Sequence, residues 1–111
     1  MALQETIIED RPDFRRVEFT DAGGGYELTC DWHLAQAVGA FKGIQFYFRA
    51  KHGEWEFETE DEFGHSYPPN DLRNFVRRIR FDASPTNAMS IDWAAQLIGK
   101  CLSEIQARFV C

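Results

Sequence analysis

The sequence predicts an α+β domain: an antiparallel sheet of about four or five strands containing two hairpins, covered on one face by a long C-terminal helix and a shorter helix before it. Three observations predict it. Apolar and polar residues alternate from Phe14 to Trp32 and again from Ile44 to Glu60, the period of a half-buried strand. Near the C-terminus, Ile91, Ala94, Ala95, Ile98, Cys101, Leu102, Ile105 and Phe109 fall within a sector of about 120° at 100° per residue, the stripe of an amphipathic helix. Strand patterns precede helical ones and tight turns join them, which favours an antiparallel sheet over a parallel one.

At 111 residues the chain has the length of one domain, 1–111. Its 44% hydrophobic content, 14% aromatic content and 10 phenylalanines argue against intrinsic disorder. Twelve Lys and Arg against 18 Asp and Glu give a net charge of -6. That balance argues against a phosphate backbone or an anionic membrane as the main partner. The N-terminus lacks a basic flank followed by an apolar stretch, and no long apolar run occurs, so a cytoplasmic protein is expected. Cys30, Cys101 and Cys111 are too sparse for a disulfide framework. The first two read as small core residues and the last as an exposed chain end.

No internal repeat or low-complexity tract divides the chain. Residues 1–13, polar around Ile7 and Ile8 and closed by Pro12, read as a frayed arm or an edge strand. In the first hairpin a loop over Ala22–Gly25 would set Phe19 opposite Leu28, Val17 opposite Cys30 and Arg16 opposite Asp31. The glycines there invite a phosphate-loop reading, but no helix pattern and no Lys-Ser or Lys-Thr follow. Residues 34–41 fit either two helical turns, through Leu34, Val38 and Phe41, or a wide connection. Gly39 weakens the helix.

The second hairpin is sharper. With His52-Gly53 as a two-residue turn, Lys51 faces Glu54, Arg49 faces Glu56, Phe48 faces Phe57 and Ala50 faces Trp55. After Pro68-Pro69, Asn70 reads as the N-cap of a helix over 70–81 carrying Leu72, Phe75, Val76 and Ile79 at helical spacing. Arg73, Arg77, Arg78 and Arg80 lie on the same segment. Ser90 caps the last helix, with Asp92 in its first turn. Trp93 and Leu97 lie off its apolar stripe, and Trp93 is expected to pack on the 84–89 loop or on the 70–81 segment.

The densest chemical feature is the acid run from Glu54 to Glu62. Alternation places Glu54, Glu56, Glu58 and Glu60 on one sheet face, about 6.8 Å apart. An ordinary solvated face relieved by Lys51, Arg49 and the 70–81 arginines is one expectation; a docking surface for a basic protein is the sharper one. A flat strand face offers neither the cleft of a carboxylate-pair enzyme nor convergent metal ligands. A Cys30/His33/His65 zinc site and a Ser66/His65/Asp61 nucleophile lack motif spacing. The arginine segment suggests nucleic-acid contact, opposed by the net charge and by the nearby acids that would pair with it.

The reading is therefore a small non-catalytic interaction protein, of inhibitor or immunity type, presenting Glu54, Glu56, Glu58 and Tyr47 to a basic protein partner. No metal or cofactor is called for, nucleic acid and membrane are disfavoured, and a homodimer is compatible with the pattern. The competing reading is an enzyme or small-ligand binder with a pocket between sheet and helices, lined by His33, His65 and Asp31.

Overall fold

Alternation extends well beyond the two expected hairpins. The computed structural model describes residues 4–11, 14–21, 24–31, 34–51, 53–81 and 89–109. Its elements are β1 (Gln4–Arg11), β2 (Phe14–Asp21), β3 (Gly24–Asp31), β4 (Leu34–Phe41), β5 (Ile44–Lys51), β6 (Glu54–Glu60), β7 (Val76–Arg80) and α1 (Ile91–Ala107). The strands form one antiparallel sheet in the order β1 to β7, so each pairs with its neighbours in sequence. The fold is α+β as expected, with seven strands instead of four or five and one helix instead of two among the described residues.

The first six strands begin ten residues apart, each connected to the next by two residues. Two-residue hairpins favour positive φ at both turn positions because that twist matches the strands. Lys42 (φ 52°) and Gly43 (φ 82°) adopt this geometry between β4 and β5. Within 1–13, Gln4–Arg11 form β1, an edge strand, with a register shift between Ile7 and Glu9. Such a bulge and the surrounding charges are ordinary protections of a free sheet edge.

The second hairpin adopts the expected register, from Lys51 opposite Glu54 to Phe48 opposite Phe57. The first is displaced from expectation. Phe19 pairs with Tyr26, Val17 with Leu28 and Arg16 with Thr29, because Gly24 and Gly25 belong to the strand and not to the loop. A Cβ at Gly24 would stand 2.2 Å from the Ala40 carbonyl oxygen, so glycine there permits close strand approach. Arg16 consequently pairs with Glu27 at 3.3 Å instead of with Asp31.

Residues 34–41 are neither helix nor wide connection. Ala35, Ala37 and Phe41 are buried in alternation on one face. The two alanines are small because α1 lies over β3 and β4, and small side chains let a helix approach a sheet. The helix expected over 70–81 is replaced by turns and then β7. Asp71 N–H donates to the Pro68 carbonyl at 2.9 Å and Asn74 N–H to the Asp71 carbonyl at 3.0 Å, while Asn70 is exposed and caps no helix. Thr59 then locks the chain to the sheet. Its buried hydroxyl donates to the Arg73 carbonyl at 2.6 Å and accepts from Phe75 N–H at 2.9 Å. These long-range bonds outweigh the local helical spacing, which is a weak prior when a sheet edge is available.

The core lies between α1 and the inner sheet face. Ile91, Ala94, Ile98, Cys101, Leu102 and Ile105 are buried on the helix, against Val17, Leu28, Phe46, Phe48, Trp55 and Phe57 on the sheet. Each fully buried large side chain contributes roughly 1.5–3 kcal/mol by removal from water. Ser90 Oγ accepts the Trp93 N–H at 3.1 Å, the expected N-cap, a contact whose loss typically costs about 1 kcal/mol. Phe109, expected on the stripe, lies beyond the helix and is half exposed. Trp93 meets Phe81 edge-on at 4.9 Å, so it packs on the end of the 70–81 segment. Cys30 Sγ donates to the Met89 carbonyl at 2.7 Å, tying the start of the helical segment to β3.

Candidate functional site

One sheet face carries α1 and the other carries no element of the described chain. Because strand side chains alternate, register alone assigns the residues of this outer face. Across the half nearer the β5–β6 turn run Arg11, Phe14, Asp31, Leu34, Lys51, Glu54 and Arg80, and beside them Glu9, Arg16, Thr29, Gln36, Arg49, Glu56 and Arg78. Six cations there oppose four carboxylates. The other half carries Thr6, Glu18, Glu27, Val38, Tyr47, Glu58 and Val76, then Gln4, Thr20, Gly25, Ala40, Gln45 and Glu60. It holds four carboxylates and no cation among the described residues.

The row Glu54, Glu56, Glu58 and Glu60 is therefore divided between two environments. Glu54 sits between Lys51 and Arg80 in register. Glu56 sits between Arg49 and Arg78 and pairs with Arg78 at 3.0 Å. Glu56 is answered by an ion pair and Glu54 is flanked by cations, as on the expected ordinary face. Glu58 instead lies between Tyr47 and Val76. It accepts hydrogen bonds from the Tyr47 hydroxyl at 3.0 Å and from the Ser66 hydroxyl, which hold the carboxylate in place without cancelling its charge. Glu60 lies beside Gln45. Partial burial, then the like charges of Glu58 and Asp61, raise the Glu60 carboxyl above its ordinary pKa. The Tyr47 hydroxyl is pushed up to about 12, first by burial and then by the Glu58 hydrogen bond and negative charge.

An exposed apolar strip runs through this acidic half. Val38 is 66% exposed and Val76 48% exposed, on either side of Tyr47 and Glu58. Glu18 and Glu27 continue the row beyond Val38, and Arg16 reaches Glu27 from the neighbouring row. Glu18, Val38 and Val76 are the members of the site that the sequence reading left out, whereas alternation already places Glu27 and Glu60 on this face. Parity in β2, β3 and β6 carried the signal for the glutamates. Nothing local carried it for Val38, whose segment reads as two helical turns or a wide connection, or for Val76, whose segment reads as helical.

Of the residues of the competing pocket, the two that are described, Asp31 and His65, lie at opposite ends of the strands. Asp31 ends β3 beside the β3–β4 connection, where its carboxylate accepts Leu34 N–H at 2.8 Å. His65 follows β6 at the opposite end of the strands, exposed. His33 lies outside the described residues. Asp61 accepts N–H groups from Phe63 and His65 at 2.9 and 3.0 Å, and Ser66 is turned to Glu58, so these residues organise a loop and not a nucleophile. Among the described residues no three His, Cys, Asp or Glu side chains are grouped as a metal site requires.

The arginines expected on a helix are distributed by β7 and its preceding turn. Arg73 forms a two-point contact with Asp71 at 3.0 and 2.8 Å and lies over the Tyr67 ring at 4.5 Å. Arg77 pairs with Glu104 of α1, and Arg78 with Glu56. Arg73, Arg77 and Arg78 are thus each in an internal ion pair, and Arg80 lies beside Glu54 in register. Among the described residues no helix is long and apolar enough to cross a membrane. Comparison with known proteins finds no matching family model, no matching curated protein and no matching solved structure.

Proposed function

We propose that the chain is a small, non-catalytic interaction protein that docks a basic protein partner on the acidic half of its uncovered sheet face. The observation that carries this reading is the juxtaposition of Val38, Tyr47 and Val76, partly exposed, with the carboxylates of Glu18, Glu58 and Glu60. None of those three carboxylates is in an ion pair among the described residues. The apolar strip supplies area removed from water, and the carboxylates steer and orient a lysine- or arginine-bearing surface. Tyr47 is the anchor, fixed by Glu58 before any partner arrives, so little side-chain entropy is lost on docking. Glu54 and Glu56 take a lesser part because Lys51, Arg49, Arg78 and Arg80 already surround them. An inhibitor or immunity-type antagonist is the class of protein that such a surface suits.

The test compares charge variants against a partner purified with the wild-type protein. The double variant Glu18→Lys/Glu60→Lys is expected to fold normally and to lose about tenfold or more in affinity, while Glu54→Gln changes affinity little. Raising salt should weaken the wild-type complex. Equal sensitivity at Glu54, or indifference at Glu18 and Glu60, would contradict the proposal. A reversible dimer in sedimentation, abolished by the same double variant and unaccompanied by a basic partner, would assign the face to a second copy instead.

A further inference from the structure

A cleft of about 390 Å³ opens on the helix side of the sheet, between the β4–β5 turn and the C-terminal end of α1. Its walls are chiefly apolar, from Phe41, Ile44, Ile105 and Phe109, and Lys42 and Arg73 stand at its lining. A separate small void beside it, sharing Phe41, Ile44 and Ile105, is lined by Phe46 and Leu102 in the core. The volume falls in the lower part of the range of small-molecule sites, roughly 300–1,000 Å³.

The two cations differ. Arg73 is held by Asp71 through two hydrogen bonds, so its charge is largely answered. Lys42 is in no ion pair among the described residues and stands over the Phe41 ring, its Nζ 5.8 Å from the centroid. Lys42 is also the one non-glycine among the described residues with positive φ, at 52°. That backbone region favours glycine, asparagine or aspartate, and the turn alone gives lysine no advantage there. Phe109 adds a second oddity: an aromatic side chain just beyond the end of α1, half exposed, lining the cleft instead of the core.

We propose that this cleft binds a free amphipathic carboxylate with a single medium-length aliphatic chain, the chain lying between Ile44, Ile105 and Phe109 and the carboxylate pairing with Lys42. The apolar walls select the tail and the unpaired ammonium selects the sign of the head group. This site lies on the opposite side of the sheet from the acidic face and is independent of it.

Titration of the whole chain with decanoate, followed by methyl chemical shifts and calorimetry, tests the proposal. Saturable binding below the micellar concentration is expected, with the largest shifts at Ile44 and Ile105. Decyltrimethylammonium, with the same tail and opposite charge, should bind at least about tenfold more weakly. Lys42→Gly should raise the melting temperature, since glycine suits positive φ, and yet weaken decanoate at least about fivefold. Phe109→Ser, at an exposed position, should weaken it as well without unfolding the protein. Absence of saturable decanoate binding, equal binding of the cation, or unchanged affinity in Lys42→Gly would overturn the proposal. Co-sedimentation with phosphatidylglycerol vesicles in the absence of decanoate binding would also overturn it, by assigning the cleft to a bilayer.

Discussion

Replacing Gly39 by alanine is expected to destabilise the protein by about 2–3 kcal/mol, the reverse of what this change ordinarily does in a strand. Glycine usually costs a strand roughly 0.5–1 kcal/mol relative to alanine, so a neutral position would gain stability. Gly39 is not neutral. A Cβ there would meet the Gly25 carbonyl oxygen at 2.3 Å, Tyr26 Cβ at 2.4 Å and Tyr26 Cα at 2.7 Å. Most of those atoms belong to the backbone of β3, which can yield only by breaking its own ladder. The missing side chain also leaves room for the rings on either side. Tyr26 and Phe46 pair with Gly39 from the two neighbouring strands, and their rings meet edge-on at 5.8 Å across it. Denaturant unfolding should show a lower midpoint with unchanged slope. An equal or higher midpoint would mean that β3 and β4 are not in this close contact.

Phe57→Ala is expected to cost about 3–5 kcal/mol, the range for emptying a buried aromatic site. Phe57 is fully buried in β6, stacked on Phe46 at 5.0 Å and meeting Phe75 edge-on at 5.6 Å. It therefore joins the meander to the segment that leads into β7, and its loss opens a cavity that two other rings line. Typical total stabilities are only about 5–15 kcal/mol, so this variant should be substantially unfolded on modest heating. Phe63, 75% exposed, provides the control. Its alanine variant should change stability by no more than about 0.5 kcal/mol. Similar losses at the two positions would contradict the inward orientation of β6.

What the sequence disclosed depended on whether local pattern and tertiary demand agreed. They agree in β5 and β6, where large apolar residues alternate with charged ones and Gly53 supplies a positive φ of 76° at the turn. The seven pairs from Gln45 with Glu60 to Lys51 with Glu54 fall in the register that alternation specifies. In α1 the stripe and the Ser90 cap are both local and both legible. They part company in β4, where the helix above favours alanine and the close approach of β3 requires Gly39, and small residues erase the hydrophobic contrast that reveals period two. In the 70–81 segment, Leu72, Phe75, Val76 and Ile79 fall at helical spacing, while the deciding interactions come from far away: Thr59 to the backbone at 73 and 75, Glu56 to Arg78, and Glu104 to Arg77.

The same failure explains what was missed in the site. Parity alone puts Glu54, Glu56, Glu58 and Glu60 on one face. Which of them keep an unanswered charge depends on β7, because Arg78 and Arg80 lie beside Glu56 and Glu54 and only Val76 lies beside Glu58. A helix over 70–81 would have spread those arginines around a cylinder, and the row would have looked uniform. Strand pairing instead concentrates the negative charge at one end.

The claim that the outer face has one neutralised half and one acidic half is tested most directly by titrating isotope-labelled protein with oligolysine at low ionic strength, with backbone and side-chain shifts followed by NMR. Perturbations centred on Glu18, Tyr47, Glu58 and Glu60, fading toward Glu54 and Glu56, are the predicted result. Perturbations centred on Glu54 and Glu56, or spread evenly along all four glutamates of β6, would contradict it.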